Sequence, residues 1–210
     1  MRGRFITVEG IEGVGKSTHL KLIESLLQAA GLEVVLTREP GGTPVAEAIR
    51  RVLLDTELPA MHSDTELMLM FAARAEHLRT LIEPALQRGA WVVCDRFTDA
   101  TYAYQGGGRG LDTTRIAALE SWVQGALRPD YTLLLDTDVE TGLSRARNRG
   151  AAADRFEQET VDFFERIRAA YLALAQKEPA RFHVVDAGRD LKEVEAAVHD
   201  FVAGLLEQAR

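Results

Sequence analysis

Cysteine is almost missing from this chain of 210 residues: Cys94 is the only one. A disulfide framework within the chain is excluded, and so is a cysteine-built zinc site. Cys94 itself, in Trp91-Val92-Val93-Cys94, reads as a buried strand residue. No apolar run approaches the roughly 18 residues of a membrane-spanning helix. The apolar stretch after Arg2 and Arg4 is too short for a secretory signal. Positive charge is in deficit, with 25 Lys and Arg against 32 Asp and Glu and a net charge of −7. Nothing global therefore draws the chain to DNA, RNA or an anionic membrane. The expectation is a cytoplasmic protein with no nucleic-acid or membrane partner. The five histidines show no ligand spacing and receive no role. Linkers, repeats and low-complexity tracts are missing too, apart from Ala151-Ala152-Ala153, so residues 1–210 read as one domain.

What is present is a phosphate-binding pattern. Gly10-Ile11-Glu12-Gly13-Val14-Gly15-Lys16-Ser17 follows the apolar segment Phe5-Ile6-Thr7-Val8 and opens a helical run from Thr18. Glycines let backbone N–H groups turn inward around phosphate oxygens, and the following helix presents its positive end. In such a loop Lys16 reaches the β and γ phosphates and Ser17 ligates Mg²⁺.

Five short apolar segments read as buried parallel strands: Phe5–Glu9, Glu33–Thr37, Trp91–Cys94, Tyr131–Asp136 and Phe182–Asp186. Helical patterns alternate with them, so the fold class is α/β, with a five-stranded parallel sheet flanked by helices. Gly31 is expected to end the first helix, and Ser63 with Glu66 is expected to cap the third. The Leu191–Gln208 stripe is a packed helix face. Ligands of open α/β sheets lie beyond the carboxyl ends of the strands, which makes Glu9, Asp95, Asp136 and Asp186 candidates by position.

Further clusters sit near those ends. Arg38-Glu39-Pro40-Gly41-Gly42-Thr43-Pro44 is a rigid loop in which Glu39 can take a substrate hydroxyl. Asp95-Arg96-Phe97 places an acid to orient Mg²⁺ beside an Arg suited to a phosphate. Thr101, Tyr102, Tyr104 and Gln105 bring hydroxyl, phenol and amide groups that can read a base, with a flexible Gly-rich exit as the plainer reading. Arg74 stands in an otherwise apolar helix and needs a partner, either an acid or a nucleotide. The arginines of 145–157 suggest a lid that carries positive charge to transferring phosphates.

Taken together, the Glu9–Ser17, Arg38–Thr43, Phe71-Ala72-Ala73-Arg74, Asp95-Arg96-Phe97, Thr101–Gly106 and Asp154-Arg155-Phe156-Glu157 blocks resemble the thymidylate kinase family over nearly the whole chain. The resemblance implies a three-layer P-loop kinase fold with a small lid, phosphorylation of dTMP to dTDP with ATP and Mg²⁺, a step towards dTTP for DNA synthesis, and a homodimer. It implies that Gly10–Thr18 (with Ile11, Glu12, Gly13, Val14, Gly15, Lys16 and Ser17) hold ATP, and that Ser17 and Asp95 serve Mg²⁺. The acceptor site it implies comprises Glu12, Glu39, Arg50, Arg74, Arg96, Thr101, Tyr104 and Gln105, with Tyr104 against the deoxyribose. Lys16, Arg96, Arg149 and Arg155 are the implied catalytic cations. With no Arg in the phosphate loop and several in the lid, the chain resembles the bacterial style of that family. The aromatic that stacks on thymine usually lies four residues before the Arg, where this chain has Met70. Either Met70 packs on the ring or the neighbouring Phe71 does, and Phe71 is preferred.

Two other readings remain open on the residues alone. A deoxynucleoside kinase would need a carboxylate base, for which Glu12 or Asp95 could serve. A GTPase-like switch would want an Asn-Lys-x-Asp sequence, and the chain has none.

Overall fold

The structure is a computed structural model that describes residues 2–148 and 154–208. Five parallel strands form one sheet: β1 (Phe5–Glu9), β2 (Val34–Arg38), β3 (Trp91–Asp95), β4 (Tyr131–Asp136) and β5 (Phe182–Asp186). Their order is β2-β3-β1-β4-β5. From β1 the chain passes to β2 on one side of the β3–β1 pair, and from β3 it passes to β4 on the other, so a crevice opens between the carboxyl ends of these neighbours. Register brings the chemistry to that edge, with Val8 beside Asp95 and Arg38 beside Asp95.

The helices among the described residues are α1 (Lys16–Ala29), α2 (Pro44–Leu54), α3 (Ser63–His77), α4 (Glu83–Gln87), α5 (Thr98–Thr101), α6 (Thr113–Gln124), α7 (Val139–Arg147), α8 (Val161–Lys177) and α9 (Leu191–Gln208). None is long and apolar enough to cross a membrane. Two π-helical segments continue regular ones: Leu78–Ile82 joins α3 to α4, and Tyr102–Gly108 extends α5.

Alternation along β1 divides the core. Ile6 and Val8 belong to a cluster with Ile23 and Leu27 of α1 and Val198 of α9. Phe5, Val92 and Cys94 pack with Leu78, Ile82 and Leu86, and the Phe5 and Phe97 rings meet edge to face at 4.9 Å. Cys94 is buried as expected, and its thiol lies 3.0 Å from the Arg96 carbonyl.

Local signals set most boundaries. Gly31 ends α1 at φ 83, with Gly31 N–H bonded to Gln28 O and Leu32 N–H to Leu27 O. Those two bonds form a Schellman motif, which a left-handed residue permits. Thr43 caps α2, with Pro44 in the first turn. The third helix departs from expectation: His62 is its cap, its Nδ1 accepting from Asp64 N–H at 3.3 Å, and Ser63 is already helical. The glycine run is no flexible exit either. A Cβ on Gly107 would come within 2.8 Å of Ala170 Cβ, and one on Gly108 within 2.6 Å of the Phe163 ring. The missing side chains let this segment press directly on α8.

Candidate active site

The phosphate loop bridges β1 and α1. Gly10, Gly13 and Gly15 all have positive φ, and a Cβ on Gly13 would lie 1.8 Å from Gly142 O. That loop therefore touches α7 backbone to backbone, and glycine is required there. Lys16 folds back over the loop, its Nζ donating to Gly10 O at 3.0 Å and Ile11 O at 2.8 Å. Burial, reinforced by the Arg96 guanidinium, lowers its pKa to about 8.

Directly across the crevice, β3 ends at Asp95 and Arg96 follows it. Arg96 has φ 65, the only positive value at a non-glycine among the described residues. Such a conformation persists only where surroundings enforce it. Two bonds do so: Arg96 N–H donates to Val8 O at 3.0 Å, and Phe97 N–H donates to Glu9 Oε1 at 2.7 Å. Glu9 is thus an anchor, fully buried, with its other oxygen accepting from Tyr171 OH at 2.7 Å. Burial, with Asp99 nearby, pushes its pKa up to about 8.

The turn aims Arg96 inward. Its Nη2 donates to Glu12 Oε1 at 2.8 Å, to the Tyr104 hydroxyl at 2.6 Å and to Gly10 O at 3.3 Å. Tyr104 in turn donates to the Glu12 carboxylate at 2.8 Å, and burial holds its phenol well above the usual range, so it stays a donor. The Arg96 Nε is buried without a partner. Arg96 and Glu12 line both the cleft over the phosphate loop and a deeper cavity behind it.

Arg74 closes the far end of that cavity. Its Nε donates to Glu39 Oε2 at 2.7 Å, and its Nη2 donates to Thr101 Oγ1 at 2.9 Å and Phe97 O at 3.2 Å. Its Nη1 is buried with no partner, a donor left over for a ligand. Glu39 also bonds His77 Nδ1 at 3.0 Å. The acid that Arg74 required is therefore Glu39. Met70, Gln105, Arg50 and Thr101 complete the walls.

A metal site fits the phosphate cleft. Ser17 and Asp95 line it together, and Asp95 Oδ1 is buried with no hydrogen-bond partner. One hydroxyl and one carboxylate form the sparse oxygen set that Mg²⁺ uses when phosphates and water supply the rest. Among the described residues no cluster of three or more His, Cys, Asp or Glu could hold a metal alone.

Several expectations are corrected. Phe71 does not reach the cavity: it is buried against Leu67 and Ile116, while its ring backs the Arg74 guanidinium at 4.8 Å. Both residues lie one turn before Arg74, Phe71 at three and Met70 at four positions, but about 100° of helix rotation separates them: Met70 is on the cavity side and Phe71 is taken up by Leu67 and Ile116. Arg155 is not at the phosphate cleft. Its Nε donates to Leu53 O at 2.9 Å and its Nη2 to Glu66 Oε2 at 2.6 Å. Arg149 lies outside the described residues. Arg145 is instead the lid-segment arginine that lines the phosphate cleft, bonding Ala187 O at 2.6 Å. Of the other acids at strand ends, Asp136 pairs with Arg168 at 2.8 Å and Asp186 accepts from Gly188 N–H at 2.9 Å. Phe156, Phe97, Leu54 and Asp154 are wall residues that sequence reasoning did not single out. Phe97, Asp154 and Phe156 were signalled only by membership of the Asp-Arg-Phe blocks, and Leu54 had no signal of its own. A second cavity, between Gly13–Gly15, His19, Arg145, Ala187 and Val194, opens off the other side of the loop.

A family model described as thymidylate kinase matches residues 8–198. The thymidylate kinase of Alkalilimnicola ehrlichii is 60% identical over 202 residues, covering 96% of this chain and 93% of that one. That of Pseudomonas fluorescens is 58% identical over 210 residues and the whole of both chains. Among solved structures, a thymidylate kinase from Ehrlichia chaffeensis superposes with a TM-score of 0.78 at 33% identity, covering 98% of this chain and 100% of that chain.

Proposed function

The chain belongs to the thymidylate kinase family, and from that premise we propose how its residues transfer a phosphoryl group from ATP to dTMP. The carrying observation is the junction of Arg96, Glu12 and Tyr104. It joins a phosphate cleft holding Lys16 to a cavity that ends in the unpaired donor of Arg74.

The acceptor phosphate sits at Arg96, whose fork-shaped guanidinium suits two oxygens. The base lies at the far end, packed against Met70 and facing Arg74, Thr101 and Gln105. Tyr104 lines the sugar. The attacking oxygen of a phosphate monoester is already anionic near neutral pH, so no general base is needed. Catalysis is positioning and charge stabilisation. Lys16 exchanges its loop carbonyls for donor phosphate oxygens, and the loop amides hold the rest. The second cavity, beside His19 and Arg145, takes the donor nucleoside. Ser17 and Asp95 would hold Mg²⁺, which would supply charge neutralisation at the donor phosphates. Arg155 leaves Glu66 to reach the transferred group as the lid segment closes.

Assembly and location belong to the same proposal. Val45 and Val52 on α2 and Met68 on α3 are exposed apolar residues on helices packed together, and a second copy covers them in a homodimer. The protein works in the cytoplasm as one domain, without nucleic-acid or membrane partners.

The test is a coupled ADP-release assay with ATP, Mg²⁺ and the acceptors dTMP, dUMP, dCMP, dGMP, UMP and thymidine. Turnover dominated by dTMP is expected. Preference for thymidine or for another monophosphate would overturn the assignment of the cavity.

A further inference from the structure

Glu66 is the most heavily engaged acid near the cavity, yet it does not line it. It is fully buried in the first turn of α3. Oε1 accepts from Gln105 Nε2 at 2.8 Å and from Arg109 Nε at 3.3 Å. Oε2 accepts from Arg109 Nη2 at 3.3 Å and Arg155 Nη2 at 2.6 Å. Both oxygens are thus filled by donors, and two of the three donating side chains are guanidiniums. Arg109 in turn is tied to Glu159.

The consequence falls on Gln105. An amide side chain can present either its NH₂ or its carbonyl to a neighbour, and rotation by half a turn exchanges them. A carboxylate only accepts, so Glu66 forces the Gln105 nitrogen towards itself. The reversed amide would set two oxygens against each other at 2.8 Å in a site closed to water. Gln105 is itself 1% exposed and lines the cavity. Its carbonyl is the group left to turn to a ligand. Arg74, whose Nη1 has no partner, lines the same cavity. The wall thus offers a donor as well as an acceptor.

We infer that Glu66 is a specificity-positioning residue: by fixing the Gln105 amide as an acceptor it makes the cavity select a pyrimidine with a 4-oxo group and an N3–H over one with a 4-amino group and a bare N3. Thymine and uracil present the matching acceptor and donor. Cytosine presents the opposite pair, so each contact meets its own kind. This inference rests on the dTMP reading of the cavity, and assaying the unaltered protein on dTMP decides that reading first.

The experiment measures kcat and KM for dTMP and dCMP in the unaltered protein, in Glu66→Gln, and in the double variant Glu66→Gln with Gln105→Glu. A glutamine at position 66 donates as well as accepts, so Gln105 becomes free to reverse. The expected result is a ratio of dTMP to dCMP kcat/KM at least roughly tenfold lower in Glu66→Gln, with the loss on dTMP lying mainly in KM. In the double variant the new amide at position 66 donates to the new carboxylate at position 105. The other oxygen of that carboxylate faces the cavity as an acceptor, and the ratio recovers to within about threefold. A structural role alone would lower both substrates in proportion and leave the ratio unchanged, which overturns the inference. Should Glu66→Gln not fold, the double variant decides: a retained ratio supports the inference. A lost ratio, or failure of both variants to fold, overturns it.

Discussion

Replacing Glu9 by Gln should make the protein more stable than the unaltered chain at neutral pH, by an amount that grows with pH. The carboxyl is fully buried between Phe97 N–H and Tyr171 OH, each at 2.7 Å. Burial, with Asp99 behind it, raises its pKa from 4.5 to about 8. Between those values the unfolded chain releases the proton and the folded chain keeps it. The stability held by the neutral carboxyl is complete below pH 4.5 and is lost as pH rises towards 8. Each pH unit inside that window costs about 1.4 kcal/mol, so from about pH 5 to 7.5 the loss is about 3 kcal/mol. Glutamine mimics the protonated acid: its carbonyl accepts from Phe97 N–H, and its NH₂ donates to the Tyr171 oxygen where the carboxylate oxygen accepts from that hydroxyl.

Urea unfolding of both proteins at about pH 5, 6.25 and 7.5 isolates this contribution, because every other titrating group is common to both. The stability difference should move in favour of glutamine by about 3 kcal/mol across the series, with equal slopes against urea. A difference constant within about 0.5 kcal/mol would refute the reasoning, since the carboxyl would then titrate alike in both states. Turnover should survive the exchange, because the bond that holds Phe97, and with it the Arg96 turn, is kept. Glu9→Ala removes that bond and should lower turnover as well as stability.

Three other outcomes follow from the site. With the Lys16 pKa at about 8, the free enzyme loses a cation at the phosphate loop above that pH, so kcat/KM for ATP should break downward near pH 8 while kcat changes less; a flat profile to about pH 9.5 would contradict the assignment. Arg155→Ala should lower kcat by about 10²–10³-fold with dTMP KM within about threefold, and an unchanged kcat in single-turnover measurements would remove Arg155 from the transfer step. Gly108→Ala drives a methyl to within 2.6 Å of the Phe163 ring; the overpacking should destabilise by about 1–3 kcal/mol in urea unfolding, and dTMP KM should rise because Gln105 rides on the same segment.

Much of the architecture was legible because it is local. The five strands could be read from short apolar runs bounded by turn residues, and α2 from a Thr-Pro start, since caps and glycines act within a few residues of themselves. The phosphate loop and the Asp95-Arg96 pair were legible for the same reason. What stayed hidden is set by partners far along the chain. Glu9, Asp95, Asp136 and Asp186 look alike at strand ends, yet they become an anchor for Phe97, a phosphate-cleft acid, a partner of Arg168 and a turn acceptor. Glu66 reads as a helix-start acid, and nothing nearby announces Arg109, Arg155 or Gln105. The choice between Met70 and Phe71 turned on about 100° of helix rotation, and spacing to Arg74 does not settle it, since both lie one turn before that residue; the distant partner Ile116 claims Phe71 and leaves Met70 to the cavity.

The placement of Arg96 shows how the fold converts sheet geometry into chemistry. A β-strand alternates its side chains between faces, so a residue continuing β3 would direct its side chain into a helix layer. The left-handed turn at φ 65 breaks that alternation and swings the guanidinium over the crevice. Such a backbone costs on the order of 1–3 kcal/mol, and the sheet itself holds it, through Val8 O on one side and the Glu9 carboxyl on the other. Both anchors belong to the last two residues of β1, immediately before the phosphate loop. The loop proposed to hold the donor and the arginine proposed to hold the acceptor are therefore fixed to the same strand end, and their spacing is set by strand separation. Under the proposed function, the alignment of donor and acceptor follows from the β1–β3 pairing.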